Sequence, residues 1–350
     1  MEHPTIASAE THTMGNSLFE YIRIKVHPEI QERDWNHIVV RGYHVRTEGT
    51  CLFAIEKKDK PFNWQRPTIT NISEGTLQIN CFPGEDYVQH YAAIIATYLA
   101  LHNKNYDAVR YLLPTTAECM EPLITSNLRG MGPIDIAIIG YVDRLNSYTG
   151  AGSWEGGGDN ELFAWQTMTT DKGIKVGFLG CRICFWGDIG GNVIRALQQM
   201  NQVKCVIYIG KLGSLRPGHA PNQLLASGSS SFLRGELVEW QNPLETVLHS
   251  NATTGVHYSL PSVLEESRAW LEEAKLKADW VDPEIGYMAK TSLEGSTQFG
   301  YLHIVSDNLM EKYQYDLSNE RLDSVLSDRE NLFKKIETIL AEFFLQWGHV

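Results

Sequence analysis

An α/β fold is what this sequence predicts, and three observations predict it. Three apolar, β-branched runs end in glycine, at 134–140, 174–180 and 206–210. Such continuous apolar runs suit strands buried on both faces of a parallel sheet. Between the second and third runs, residues 188–200 place Ile189, Val193, Ile194 and Leu197 on one helical face. Strand, helix and strand of this length make a βαβ unit. The chain then closes on a strongly periodic helix in which Leu332, Phe333, Ile336, Ile339, Leu340, Phe343, Phe344 and Trp347 share a face.

The elements follow in order. Residues 1–16 are polar and read as a disordered leader. Residues 17–130 read as a β-rich extension with one helix. Alternation at 21–26, 35–43, 50–55 and 76–81 predicts strands there. Residues 85–102 predict the helix, with Tyr87, Tyr91, Ile94, Ile95, Tyr98 and Leu99 inward. The texture changes near Gly132, and residues 131–350 read as the unit that carries chemistry. After the 134–140 strand comes a glycine-rich loop with aromatics, 150–158, expected to be mobile. The 206–210 run is expected to break into a glycine turn at Gly210–Lys211–Leu212–Gly213–Ser214. Residues 254–259 predict a further strand. Ser262 with Glu265 three residues on has the pattern of a capping box for a helix to about 277. A helix is expected from near Ile285, and 299–305 predict a strand ending in Ser306, Asp307 and Asn308.

Bulk properties limit the function. The 350 residues carry a net charge of -12, which argues against a nucleic-acid surface, since that needs a basic footprint. No apolar run reaches membrane-spanning length, and no apolar signal segment precedes the first strands. The six cysteines form no dense framework. A cytoplasmic protein with reduced thiols is the expectation. Cys181 and Cys184 have CxxC spacing, but no second ligand pair accompanies them. They read as small core residues, so no metal is expected.

In open parallel sheets ligands bind beyond the carboxyl ends of the strands. Cations and glycines follow the earlier strands: Gly140 precedes Asp143 and Arg144, Gly180 precedes Arg182 and Trp186, and Gly210 precedes Lys211 and Ser214. Carboxylates follow the later ones, Asp282 and Glu284 in one place and Asp307 in the other. That division separates an anion site from a site that binds hydroxyls or exchanges a proton. Glu284 could instead cap a helix, and Asp307 could cap a turn.

Four segments, in this order, resemble the nucleoside phosphorylases of the purine nucleoside and uridine phosphorylase type and their nucleosidase relatives. Gly140–Tyr141–Val142–Asp143–Arg144 is similar to the family's first glycine turn, whose arginine grips phosphate. Gly210–Lys211–Leu212–Gly213–Ser214–Leu215 resembles its central GxxG turn, which binds phosphate. Val281–Asp282–Pro283–Glu284 resembles the segment whose glutamate takes the ribose hydroxyls, with Pro283 where methionine is usual. Ser306–Asp307–Asn308 is similar to the segment whose aspartate protonates a purine. The resemblance covers roughly residues 132 to 345. It implies a three-layer phosphorylase/hydrolase-like fold with a mixed central sheet, no cofactor, phosphate as co-substrate, and assembly as a homo-oligomer. It implies phosphate on Gly140, Arg144, Gly210, Lys211, Gly213 and Ser214, ribose on Glu284 and Pro283, and Asp307 as the acid. Tyr258 and Asn308 are candidates for the base. Tyr208 stands where purine-type enzymes carry an arginine, and Lys211 can supply that charge. The implied reaction is phosphorolysis of a purine-type nucleoside to free base and sugar 1-phosphate. Hydrolysis by water, or nucleoside binding in a biosynthetic role without phosphorolysis, are the alternatives.

Overall fold

The computed structural model describes residues 1–8, 11–46, 52–53, 60–317, 319 and 322–347. Two sheets organise them. The first has six strands in the order His3–Pro4, Val109–Leu112, His37–Gly42, Thr76–Cys81, Thr68–Ser73 and Leu52–Phe53. Of the alternating stretch expected at 50–55, only Leu52 and Phe53 lie within the described residues.

The stretch 21–26 is not a strand. Its first half, residues 21–23, belongs to helix α1 (Ser17–Arg23), residues 24–26 form the turn after it, and a short helix Pro28–Glu32 follows. Leu18, Tyr21 and Ile22 are the buried residues of α1, at the i, i+3, i+4 spacing of a helix face. Alternation counted from Tyr21 leaves out Leu18, the residue that fixes the period. Helix α2 (Glu85–Leu101) packs beside α1, and a further helix covers Thr116–Ile124, so the extension holds more than one helix. Residues 11–16 are not a loose leader either. His12 and Thr13 are buried, His12 forms a β-bridge with Ser267, and the Thr13 N–H donates to the Glu266 carbonyl at 3.0 Å.

The second sheet is mixed, with twelve strands. At its centre lie β1 (Ile136–Gly140), β2 (Lys175–Cys181), β3 (Cys205–Ser214), β4 (Trp280–Asp282) and β5 (Gln298–Asn308). β1 pairs in parallel with both β2 and β3, and β3 in parallel with β5. β4 pairs antiparallel with β3 at its carboxyl end. Alternate residues of these strands enter two cores. Ala137, Ile139, Val206 and Tyr208 face α3 (Asp188–Asn201) and α4 (Ile285–Glu294). Ile136, Ile138, Ile207 and Ile209 face the closing helix α5 (Asp323–Gln346). Helix, sheet, helix is therefore the layering of this part.

β3 does not break at Gly210. It continues to Ser214 beside β5, with a register shift between Leu212 and Gly213. Backbone groups that a free turn would present are thus committed to the sheet, and the irregularity is a bulge. Part of the glycine-rich loop pairs as well, Glu155 and Gly156 with Trp165 and Ala164. Ser262 caps only a 3₁₀ turn, and Ser267 caps the α-helix Arg268–Ala274.

Candidate active site

A cavity of about 290 Å³ opens at the carboxyl ends of β1, β2, β3 and β5 and is closed on its other side by the first sheet's unit. It gathers Gly140, Arg144, Gly210, Lys211, Gly213, Pro283, Glu284 and Asp307. These residues lie as far apart as 167 positions in sequence, Gly140 to Asp307. Three expected residues lie elsewhere. Ser214 is fully buried, and its Oγ is engaged by the Arg216 N–H at 3.1 Å and by His219 Nδ1 at 2.9 Å. Tyr258 packs edge-on against Trp270, away from the cavity. Asn308 donates through Nδ2 to the carbonyls of Arg216 and His219 and accepts the N–H groups of Met310 and Glu311.

Asn308 thereby does the turn-capping that Asp307 could have done. Asp307 lines the cavity, with Ser306 Oγ donating to its Oδ1 at 2.7 Å. A similar division holds at the ribose end. Asp282 Oδ1 accepts the N–H groups of Glu284 and Ile285 at 2.8 and 2.9 Å and so caps α4. The Glu284 side chain makes no cap bond and is left to the cavity. Asp282 itself is fully packed between two histidines, with His257 Nε2 at 3.1 Å and His303 Nε2 at 3.3 Å. His257 Nδ1 in turn meets Ser231 Oγ at 2.8 Å. Burial opposes its ionisation, yet His257 and His303 outweigh burial and hold the Asp282 carboxyl below the usual range. Its charge then acts on Glu284. Burial first, and Asp282 second, push the Glu284 carboxyl well up, against the Gly187 N–H and Lys211.

At the anion end, Gly140 has φ +101°, and a Cβ there would lie 2.0 Å from the Ile209 carbonyl oxygen. Only glycine serves at that crossing. Beyond it, Arg144 is exposed and Asp143 half-buried, Nε to Oδ2 3.4 Å. Burial raises the Asp143 carboxyl's pKa, with Arg144 and Lys60 opposing. Tyr208, at the position expected to carry arginine in purine-type enzymes, is a neutral wall: buried, edge-on to His303 with ring centroids 4.5 Å apart.

Sequence reasoning missed several lining residues. Glu266 is buried in the wall, and burial followed by the charge of Asp307 pushes its carboxyl well up. The capping pattern at Ser262 drew attention to Glu265 and hid Glu266. Phe62, Trp64, Tyr87, His90 and Tyr91 come from the first unit, whose sequence carries no motif. Trp186, which follows the Gly180 strand end, lines the cavity, stacked on His90 with centroids 4.0 Å apart.

No family model matches the chain. Among curated proteins it is 24% identical over 327 residues to an oxidoreductase, cns1, of Cordyceps militaris. That match covers 82% of this chain and 41% of the relative, so the chain spans about two-fifths of the relative's length. Among solved structures, a purine nucleoside phosphorylase from Toxoplasma gondii is similar at 13% identity, over 63% of this chain and 94% of that one, with a TM-score of 0.49. A 5'-methylthioadenosine/S-adenosyl homocysteine nucleosidase from Helicobacter pylori is similar at 13% identity, over 61% and 99%, with a TM-score of 0.46. A futalosine hydrolase of the same organism is similar at 14%, over 60% and 98%, with a TM-score of 0.46. These solved structures are nucleoside phosphorylases and nucleosidases, the family whose motifs the sequence resembles. Among the described residues no helix is long and apolar enough to cross a membrane.

Proposed function

We propose that this chain cleaves the N-glycosidic bond of a purine-type nucleoside, with phosphate as the attacking group and no further cofactor. One observation carries this: Gly140, Arg144, Gly210, Lys211 and Gly213, which the motifs assign to phosphate, meet Pro283 and Glu284, assigned to ribose, and Asp307, assigned as the acid, in one cavity. Arg144, Lys60 and Lys211 supply cationic charge to the cavity, with Arg144 and Lys60 acting on Asp143 just past Gly140. A dianion held there faces the anomeric carbon of a ribose whose hydroxyls lie on Glu284. Asp307 protonates or hydrogen-bonds the departing base. Glu266, whose carboxyl burial and the charge of Asp307 push up, lines the same cavity.

Hydrolysis is the second reading, and Asp143 favours it. Its carboxylate lines the cavity next to Arg144, placed to take a proton from water. A panel of nucleosides incubated with and without phosphate, with free base followed by chromatography, separates the two. Base release that requires phosphate supports phosphorolysis, and release that ignores phosphate supports hydrolysis. Binding without release from any nucleoside would remove both.

A further inference from the structure

We propose that Glu284 meets the ribose as a carboxylic acid, one oxygen donating to a hydroxyl and the other accepting from its neighbour, and that Asp282 is the positioning residue that keeps it so. This rests on the nucleoside assignment of the cavity above. Only Pro283 separates the two carboxyl-bearing residues, and each is 5% exposed. They differ in what holds them. Asp282 Oδ1 accepts the N–H groups of Glu284 and Ile285 at 2.8 and 2.9 Å, at the N-terminus of α4, where negative charge is favoured. Its two oxygens stand 3.1 Å from His257 Nε2 and 3.3 Å from His303 Nε2, and both imidazoles are fully buried. Four groups of the protein interior therefore fix one negative charge beside Glu284. The unit also touches the phosphate motif. A Cβ at Gly210 would lie 2.6 Å from His303 Nε2, so glycine makes room there for the imidazole that faces Asp282.

A charge on Glu284 would be a second one of the same sign in this buried space. Two carboxyl groups that share a site do not both ionise readily. Burial and then Asp282 raise the Glu284 carboxyl, and the Gly187 N–H at the start of α3 and Lys211 on β3 oppose them without prevailing. The other ionisable neighbours give its carboxylate little help. Tyr208 on β3 and Tyr301 on β5 bring no positive charge, and burial pushes both phenols up. Burial also lowers His303, against the pull of Asp282. A carboxylic acid suits the site. It offers ribose one donor and one acceptor, and it does not repel a phosphate dianion held near the anomeric carbon.

Infrared difference spectra of the full chain test the pair without any ligand. At pH 7 the wild type is expected to show a carboxylic-acid band that Glu284→Gln removes. In Asp282→Asn, which keeps an acceptor for the two N–H groups, that band should titrate about 1–3 pH units lower. Should Asp282→Asn fail to fold, Asp282→Ser, which also caps a helix without charge, takes its place. Binding read by the fluorescence of Trp64 and Trp186, which line the cavity, then tests the ribose. The probes are adenosine, which the wild type is expected to favour, and 2′,3′-dideoxyadenosine. Glu284→Gln should keep that preference within about threefold, since a carboxamide also presents one donor and one acceptor, and Glu284→Ala should lower it about tenfold or more. The absence of a band that Glu284→Gln removes would overturn the proposal. So would a band whose titration the neutral Asp282 variants leave in place, a preference that Glu284→Gln abolishes, or equal affinity of the wild type for the two probes. A Glu284 band with no binding of either probe would remove the nucleoside reading and leave the Asp282–Glu284 pair standing. Adenosine bound by a chain with no such band would do the reverse.

Discussion

Each of the two acidic positions of the site is built as a pair of neighbours with divided labour. Asp282 and Glu284 sit two residues apart, as do other carboxylates in the chain, and nothing in their spacing says which one faces a ligand. The structure separates them by burial and partners: Asp282 takes two backbone N–H groups and two imidazoles, which leaves Glu284 for the cavity. Asn308 and Asp307 divide in the same way. Replacing Asp307 by asparagine keeps an acceptor for the Ser306 hydroxyl while removing the acid. Asp307→Asn is expected to lower kcat for base release by about 10²- to 10⁴-fold, with thermal stability and ligand binding close to wild type. Stopped assays of free base on the variant, beside its melting curve, check this. Turnover within a few-fold of wild type would remove Asp307 as the acid.

At the scale of elements, helix N-termini meet under the cavity, and one side chain joins two of them. Asp188, first residue of α3, accepts the N–H groups of Glu85 and Asp86 at the start of α2, at 2.9 and 3.1 Å. Negative charge is favoured at such termini. Burial, with the neighbouring Asp86 carboxylate, nevertheless pushes the Asp188 carboxyl up to about 6. An unfolded aspartate titrates near ~3.9. Between these values the folded chain holds a proton that the unfolded chain has released. Asp188 thus contributes stability that is present at the acid end and lost as pH rises through that window. In Asp188→Asn the carboxamide keeps an acceptor and cannot titrate. Urea midpoints measured at pH 5 and pH 7 should fall more for wild type than for this variant. Equal falls would show that Asp188 is not the group responsible.

The same scale shows what the sequence made legible. The strands 134–140, 174–180 and 206–210 and the helices between and after them are long, apolar and periodic, and each lies where its period predicts, with parallel pairing. Their glycines and trailing charges led to five of the cavity's residues, Gly140, Arg144, Gly210, Lys211 and Gly213. Where local signals were short they misled. The alternating residues at 21–26 are the end of a helix and the turn after it, because the period is set by Leu18 outside the window. Gly210 and Gly213 mark a strand with a bulge, because β5 pairs alongside through Asn308 and local turn chemistry yields to that ladder. Ser214, Tyr258 and Asn308 missed the cavity for a related reason. Alternate residues of an extended chain point to opposite faces, and hydrogen bonds to His219 and Arg216 and a ring contact with Trp270 fix their direction, none of which the local sequence pattern signals.

The whole molecule explains why the first unit's part in the site was invisible. That unit has its own sheet, yet not its own separate core. One continuous apolar cluster runs from Leu18, Ile38 and Ile79 through Tyr91 and Ile95 to Ile189, Val206 and Phe299. The cavity lies on this seam, so cations such as Lys25 reach it through tertiary packing alone. Ile189 sits at the join: it is fully buried, and a Cβ added at Gly84 would stand 2.5 Å from its Cγ1. Because the seam is packed as an interior, the two sheets should unfold together. Ile189→Ala removes a filled volume and should cost about 2–5 kcal/mol. Unfolding in urea, followed at once by tryptophan fluorescence and by far-ultraviolet circular dichroism, is expected to stay a single coincident transition at a lower midpoint. If the two probes separated in the wild type, with one part melting before the other, the shared core would not be acting as one cooperative unit. The cavity would then lie between two bodies that open independently, and ligand binding, rather than the seam itself, would have to close it.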